Sequence, residues 1–195
     1  MNLLTGGFWV GAHDADPRVI ALYERHYSAD PQKKGHHHVG IAGPSERMVL
    51  LTTDAKALWV WRLILSPEQR ISKLARPDMR RKRKGLAVGE KSSSYFGDES
   101  GIMCSVFRNE GPILSSLLVA EATGLAWRRW PGQRLFTYVW PAKVKSVNPG
   151  YCSKAAGWQL CGRNKYGRLI ILEKPPRKLA ETGAIPPSIL SADVL

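Results

Sequence analysis

The sequence predicts an α/β fold with a mixed, largely antiparallel central sheet, probed by three observations. Apolar runs of strand length alternate with stretches of helical period in the order β-α-β-β-insertion-β-α-β-α-β-β. A chain of 195 residues that is 44% hydrophobic suits one domain with a sizeable core, with or without a tail. Glycine, proline and Asn-Pro or Pro-Gly steps punctuate the boundaries, and no internal repeat breaks the pattern. Together these favour three layers, with helices laid on the sheet.

In chain order, residues 5–13 (TGGFWVGAH) read as a first strand. Asp14-Ala15-Asp16-Pro17 then supplies acidic cap candidates and a proline suited to a first helical turn. That helix is expected to run to about Tyr27, with Val19, Ile20, Leu22 and Tyr23 inward. A loop from Ala29 to Pro44 holds His36, His37 and His38, which lack the separated spacing of a helical pair sharing one metal. Residues 46–52 and 57–65 flank Thr53-Asp54-Ala55-Lys56 as a hairpin, with Trp59 and Trp61 on the strand face opposite Val60. Residues 66–100 are poor in apolar side chains and carry an unbroken basic run, Arg80-Arg81-Lys82-Arg83-Lys84.

A short strand (Met103 to Phe107) meets the turn Arg108-Asn109-Glu110-Gly111-Pro112, and a helix is expected to open at Pro112. Leu114, Leu117 and Leu118 then lie at helical spacing, with Ser115, Ser116 and Glu121 turned elsewhere. Strand, tight turn and free helix N-terminus form an anion site, because unpaired N–H groups and the positive dipole end point into the turn. A strand at 133–139, stopped by Pro141, leads to a loop with Lys143 and Lys145. A short helix, Tyr151 to Ala156, is closed by Gly157. Two strands follow, one from Trp158 and one over 168–173, joined by a turn over Arg163 to Gly167. The domain is therefore set at 1–173 with a basic insertion at 66–100, and 174–195 reads as a proline-rich tail.

Net charge is +13, with 29 Lys and Arg against 16 Asp and Glu. This favours a polyanionic partner, nucleic acid before a membrane surface. No run of 18 apolar residues is present, so no membrane span is expected, and the N-terminal stretch lacks the pattern of a signal peptide. Cys104, Cys152 and Cys161 are too widely spaced for a disulfide frame and are expected as small buried thiols in a cytoplasmic protein. A homodimer is compatible with this composition.

The strand, then Arg108-x-x-Gly111, then a long helix, then a strand, then NPGYCSKAAGWQLCG (148–162) resembles the GNAT acyltransferase superfamily over residues 5–173. FRNEG (107–111), LFTYVWP (135–141) and NPGYC (148–152) look like the bacteriophage Mom-like DNA-modification proteins. The resemblance implies a GNAT-like three-layer fold and a transferase acting on adenine N6 in DNA, adding a carbamoylmethyl-type group that shields phage DNA from restriction. The protein would then work in the host cytoplasm.

It also implies that the 108–113 turn holds acetyl-CoA or a related acyl-CoA through Arg108, Asn109, Glu110, Gly111 and Ser115. Tyr151 would be the proton donor to a leaving thiolate. Iron would be held by a His-Tyr pair, matched here by His26 and Tyr27, together with an Asp. Two departures stand out: Ile113 fills a position usually small in the CoA loop, and Trp140 stands where that Asp is sought.

Each residue also has a plainer reading. Glu110 caps the helix or acts as a base. His26 is a base, a ligand or a charged helix cap. Tyr138 packs, or contacts the acceptor base, and Tyr151 packs or donates a proton. Arg80, Arg81, Lys82, Arg83, Lys84, Lys143 and Lys145 would grip the DNA backbone, contributing affinity and salt sensitivity rather than base identity. A conventional N-acetyltransferase acting on a small amine or a protein, and a non-catalytic nucleic-acid-binding protein, are the competing classes.

Overall fold

The structure is a computed structural model that describes residues 7–30, 41, 45–66, 69 and 99–176. The three adjacent histidines and the basic run 80–84 lie outside the described residues. The elements are β1 (Trp9–Ala12), α1 (Pro17–Glu24), β2 (Arg47–Thr52), β3 (Ala57–Ile64), β4 (Gly101–Asn109), α2 (Ser115–Arg129), β5 (Leu135–Val139), α3 (Tyr151–Ala155), β6 (Gln159–Arg163) and β7 (Ile170–Lys174). A short 3-10 turn, Pro141–Lys143, follows β5. This is an α/β fold in the order expected.

Seven strands form one sheet in the order β1-β2-β3-β4-β5-β7-β6. Neighbours are antiparallel except β4 and β5, which are parallel and joined by α2 as the crossover. Strand alternation sends Trp9, Leu50, Trp59, Trp61 and Cys104 to one face, where they pack with Leu118, Ala122 and Leu125 of α2. The other face sends Val49, Leu51, Leu58, Val60 and Val106 against Val19 and Leu22 of α1.

The sheet grips α2 through indoles as well as apolar area. Trp9 Nε1 donates to the Leu118 carbonyl at 2.9 Å and Trp61 Nε1 to the Ala122 carbonyl at 3.1 Å. Trp158 Nε1 reaches Thr123 Oγ1 at 3.2 Å. A buried indole needs such an acceptor, and these carbonyls sit one helical turn apart. Trp59 and Trp61 are core residues on one face, as the hairpin alternation predicts.

Several local expectations are corrected. The first helix ends at Glu24, not Tyr27, with Arg25 as its C-cap. Its N-cap is Asp16, whose carboxylate accepts from Arg18 N–H at 2.8 Å. The second long helix begins at Ser115, because Leu114 is still extended (φ −59°, ψ 124°). Leu114 and Leu117 are 65% and 51% exposed rather than inward. The buried stripe is Leu118, Val119, Ala122, Leu125 and Ala126, and Leu117 lies about 100° of helix rotation away from Leu118. β7 runs through Lys174, so the tail starts later than 174. Cys161 is exposed, since it lies on the outer strand β6.

Candidate active site at the divergence of two parallel strands

Only Ile102, Met103 and Cys104 of β4 pair with β5, opposite Leu135, Phe136 and Thr137. β4 then continues to Asn109 while β5 ends at Val139. The register of β4 against β3 shifts at Val60/Trp61, so Val60 faces Val106 while Trp61 faces Cys104. Ser105 is the extra residue, and such a bulge bends its strand. The last backbone group before the divergence, the Cys104 carbonyl, accepts from the Thr137 hydroxyl at 3.0 Å. Beyond it the strands part, leaving an opening at their carboxyl ends.

The residues just after α1 occupy that opening. His26 lies close enough to the Phe107 backbone on β4, and Tyr27 to the Trp140 backbone just after β5, for each backbone group to act on the side chain's acidity. The two rings lie 4.2 Å apart, so this corner of chain spans the divergence. His26 Nδ1 is hydrogen-bonded to Ser28 Oγ at 2.7 Å and lies 3.2 Å from the Ser28 N–H, which donates to it. Burial, then the adjacent Arg108 charge, hold the His26 pKa down to about 4, partly offset by the Phe107 backbone. His26 is therefore neutral near pH 7, not a charged helix cap. Burial pushes the Tyr27, Cys104 and Cys152 acids up, and both thiols lie close enough to act on Tyr27.

At the end of β4 the turn is built by its own side chains. Asn109 Oδ1 accepts from Gly111 N–H at 2.9 Å, while Nδ2 donates to the Ile113 carbonyl at 2.7 Å and to Ser115 Oγ at 3.0 Å. These bonds hold residues 110–114 out of the helix, which is why α2 opens three residues late. Gly111 is packed closely: a Cβ there would sit 3.1 Å from Lys56 Cβ.

Glu110 does not cap α2. Its carboxylate receives Arg25 through two bonds of 2.8 and 2.7 Å and Arg108 Nε at 2.5 Å. Hydrogen bonding from Arg25 first, and then from Arg108, pulls its pKa down to about 2. Arg108 also donates to the Arg25 carbonyl. Arg25, Glu110 and Arg108 thus pin the end of α1 to the end of β4, directly beside His26.

α2 has no side-chain cap. Leu117 and Leu118 N–H bond the Leu114 carbonyl at 3.0 and 3.3 Å, so the Ser115 and Ser116 N–H groups, with the dipole, form the local anion-attracting end. Ser115 is the first residue of α2 rather than one turn in.

The other expected site residues divide. Tyr151 is the first residue of α3 and 61% exposed. Lys143 and Lys145 are exposed just after β5, with Lys143 Nζ 5.6 Å from the Trp140 ring. Tyr138 is half-buried. It packs edge-on to Phe136 at 5.9 Å, and burial, with Glu99 adding, raises its pKa to about 12. Arg134, just before β5, pairs with Glu99 and with Glu173.

Arg25, Ser28, Phe107 and Cys152 receive no site role from sequence, although Phe107 lies in the FRNEG segment, Cys152 in NPGYC, and Arg25 and Ser28 flank His26-Tyr27. Of the iron ligands implied by the resemblance, His26 bonds Ser28 through Nδ1, and Trp140 stands where the Asp is sought. Among the described residues no three His, Cys, Asp or Glu side chains are grouped to hold a metal.

A cavity of about 450 Å³ lies at the opposite end of the sheet, between Leu63, Gly101 and Trp130, and shares no residue with this site. Among the described residues no helix is long and apolar enough to cross a membrane. Comparison with protein-family models finds no match, and comparison with curated proteins finds no significant relative.

Proposed function

We propose that this protein is a GNAT-like transferase, three-layered in that fold's manner, that modifies adenine N6 in DNA with a carbamoylmethyl-type group. Such a modification would protect phage DNA from host restriction, as in the Mom-like proteins that the sequence resembles. The observation that carries the reading is the divergence of β4 and β5 beside an uncapped helix start, reached through Arg108-x-x-Gly111. The point where the parallel pair separates, beside the His26–Tyr27 corner, is where the arm of an acyl carrier would enter, and the helix start suits its phosphates. A bound acyl-CoA would supply an activated acyl carbon and would lose its thiolate to give an N6 amide; attachment through CH2, as in a carbamoylmethyl group, would require an isomeric rearrangement of the transferred group.

The chain's own residues then have separable roles. The N–H groups at the start of α2 hold the anionic end of the donor. The Arg25-Glu110-Arg108 cluster keeps the turn in place. His26 and Tyr27 set the width of the opening, so His26 acts as a positioning residue and not as a base. Tyr151, exposed at the start of α3, gives a proton to the departing thiolate. Adenine N6 is a weak nucleophile buried in a duplex, so the base must leave the stack to reach this opening. A net charge of +13 fits DNA better than a small amine as the acceptor.

The test is expression in a bacterial host followed by nucleoside mass analysis of plasmid DNA. A modified adenosine that disappears in Tyr151→Phe supports the reading. An unmodified profile from folded protein that still binds duplex supports a non-catalytic DNA-binding protein instead. Thermal stabilisation by acetyl-CoA, with acetylation of small amines and no DNA product, supports the conventional acetyltransferase.

A further inference from the structure

Between Glu121 and Glu173 the chain has nine Lys and Arg and not one Asp or Glu. Three of these cations fall in the turn of the β6–β7 hairpin: Arg163, Lys165 and Arg168, around Tyr166. All four side chains are exposed, Tyr166 by 54%. Among the described residues none of the three cations pairs with a carboxylate. By contrast Arg25, Arg108 and Arg134 are each paired.

The turn that carries them is internally braced. Asn164 is buried, its N–H donates to the Leu169 carbonyl at 2.9 Å, and its Oδ1 accepts from Leu169 N–H at 3.0 Å. Gly167 N–H reaches the Asn164 carbonyl at 2.8 Å, and Gly167 takes φ 70°. Arg163 donates to the Gly167 carbonyl at 3.1 Å, and Lys165 Nζ lies 4.9 Å from the Tyr166 ring. A braced turn loses little backbone freedom on binding, so its charges act as a fixed array.

Topology puts this array at the site. β4 and β5 are parallel, so both carboxyl ends lie at one end of the sheet. Val139 at the end of β5 pairs with Ile170, and Ile170 pairs with Arg163. The hairpin turn, the Lys143–Lys145 segment and the 108–113 turn therefore share that end.

We infer that the β6–β7 hairpin is a duplex-DNA contact, with Arg163, Lys165 and Arg168 on phosphates and the Tyr166 ring against the sugar and base edge. The inference rests on the proposed function for the identity of the polyanion. An acid-free stretch of this length matches the continuous charge of a duplex better than a short acidic peptide.

The test reads binding, by fluorescence anisotropy of a labelled duplex over a sodium chloride series. Replacing Arg163, Lys165 and Arg168 together with Ala is expected to make the log-log salt slope shallower by about 2–3. Arg168→Ala alone is expected to lower it by about 0.9, whereas Arg128→Ala, the same charge change at the far end of α2, leaves it unchanged. Tyr166→Ala is expected to weaken binding without altering the slope. Circular dichroism checks the fold of each variant, and Arg168→Ala, which removes no turn hydrogen bond, serves if the triple variant unfolds.

A triple variant and Arg168→Ala that both keep the wild-type slope overturn the inference. Polyglutamate that displaces the duplex as well as unlabelled DNA does overturns the assignment to nucleic acid. A hairpin-dependent slope with no modified adenosine in plasmid DNA sinks the transferase reading alone. Modified adenosine together with an unchanged slope sinks the hairpin contact alone.

Discussion

Acidification should loosen the corner that spans β4 and β5, and His26 sets the size of the effect. An unfolded imidazole titrates at its ordinary value of 6.5, and in the fold it is held down to about 4. Between those values the unfolded chain binds more protons than the native one, so stability falls as pH falls. The full shift corresponds to about 3 kcal/mol, of which roughly 2.5 kcal/mol has been lost by about pH 4.5. The structural cause is specific. Ser28 N–H already donates to Nδ1, Arg108 lies alongside, the Tyr27 ring is 4.2 Å away and, of these, only the Phe107 backbone favours an added proton. Protonation therefore breaks the Ser28 N–H contact, while the Ser28 hydroxyl can turn to accept from Nδ1.

Carboxylates also titrate in this range, so the measurement is a difference. Urea unfolding followed by tryptophan fluorescence is run on wild type and His26→Asn from about pH 7.5 to about pH 4.5. The variant is less stable near neutrality, and the gap should close by roughly 2–3 kcal/mol across the range. A gap that stays constant, or an NMR titration of His26 with its midpoint above about 6, refutes the reasoning.

Trp61→Phe loses both ring volume and the bond to Ala122 and should cost about 2–4 kcal/mol, whereas Trp59→Phe should cost clearly less, because Trp59 Nε1 is buried without a partner; urea midpoints compare them. Gly150→Ala places a Cβ 2.5 Å from Leu172 Cδ1 at φ 75° and should cost about 2 kcal/mol or more, lowering the melting temperature by roughly 5–10 °C. Gly132→Ala, at φ 72° in open space, carries the backbone strain alone and should cost about 1 kcal/mol. Glu110→Gln leaves Arg25 and Arg108 facing each other and should destabilise by about 1 kcal/mol, a modest figure because these side chains are partly solvated; a double-mutant cycle with Arg25→Ala reads the coupling.

Much of the fold was legible because its signals are local. The hairpin 47–64 is two alternating runs around a short polar turn, and both tryptophans on its core face follow from a period of two. Asp16-Pro17 and Gly150 to Gly157 mark helix ends by backbone chemistry that needs no distant partner. The site was legible as a place but not in its wiring. Arg108 and Glu110 looked like an anion ligand and a helix cap, and their roles changed because Arg25, far away in sequence, arrives to share Glu110. The late start of α2 had a local cause in the Asn109 side chain, but proline and the leucine spacing pointed the other way.

By itself the sequence determined the kinds of element and their order, the two faces of the central hairpin, and the run of cations with no acidic residue between Glu121 and Glu173. These depend on residue type and short-range periodicity, and neither needs a folded partner. Only the tertiary structure decided that β4 and β5 lie side by side and part after three pairs, that β7 inserts between β5 and β6, and that His26 is neutral. Strand neighbours are chosen by non-local burial and hydrogen bonding, and a pKa by the charges and solvent that this burial brings together or removes.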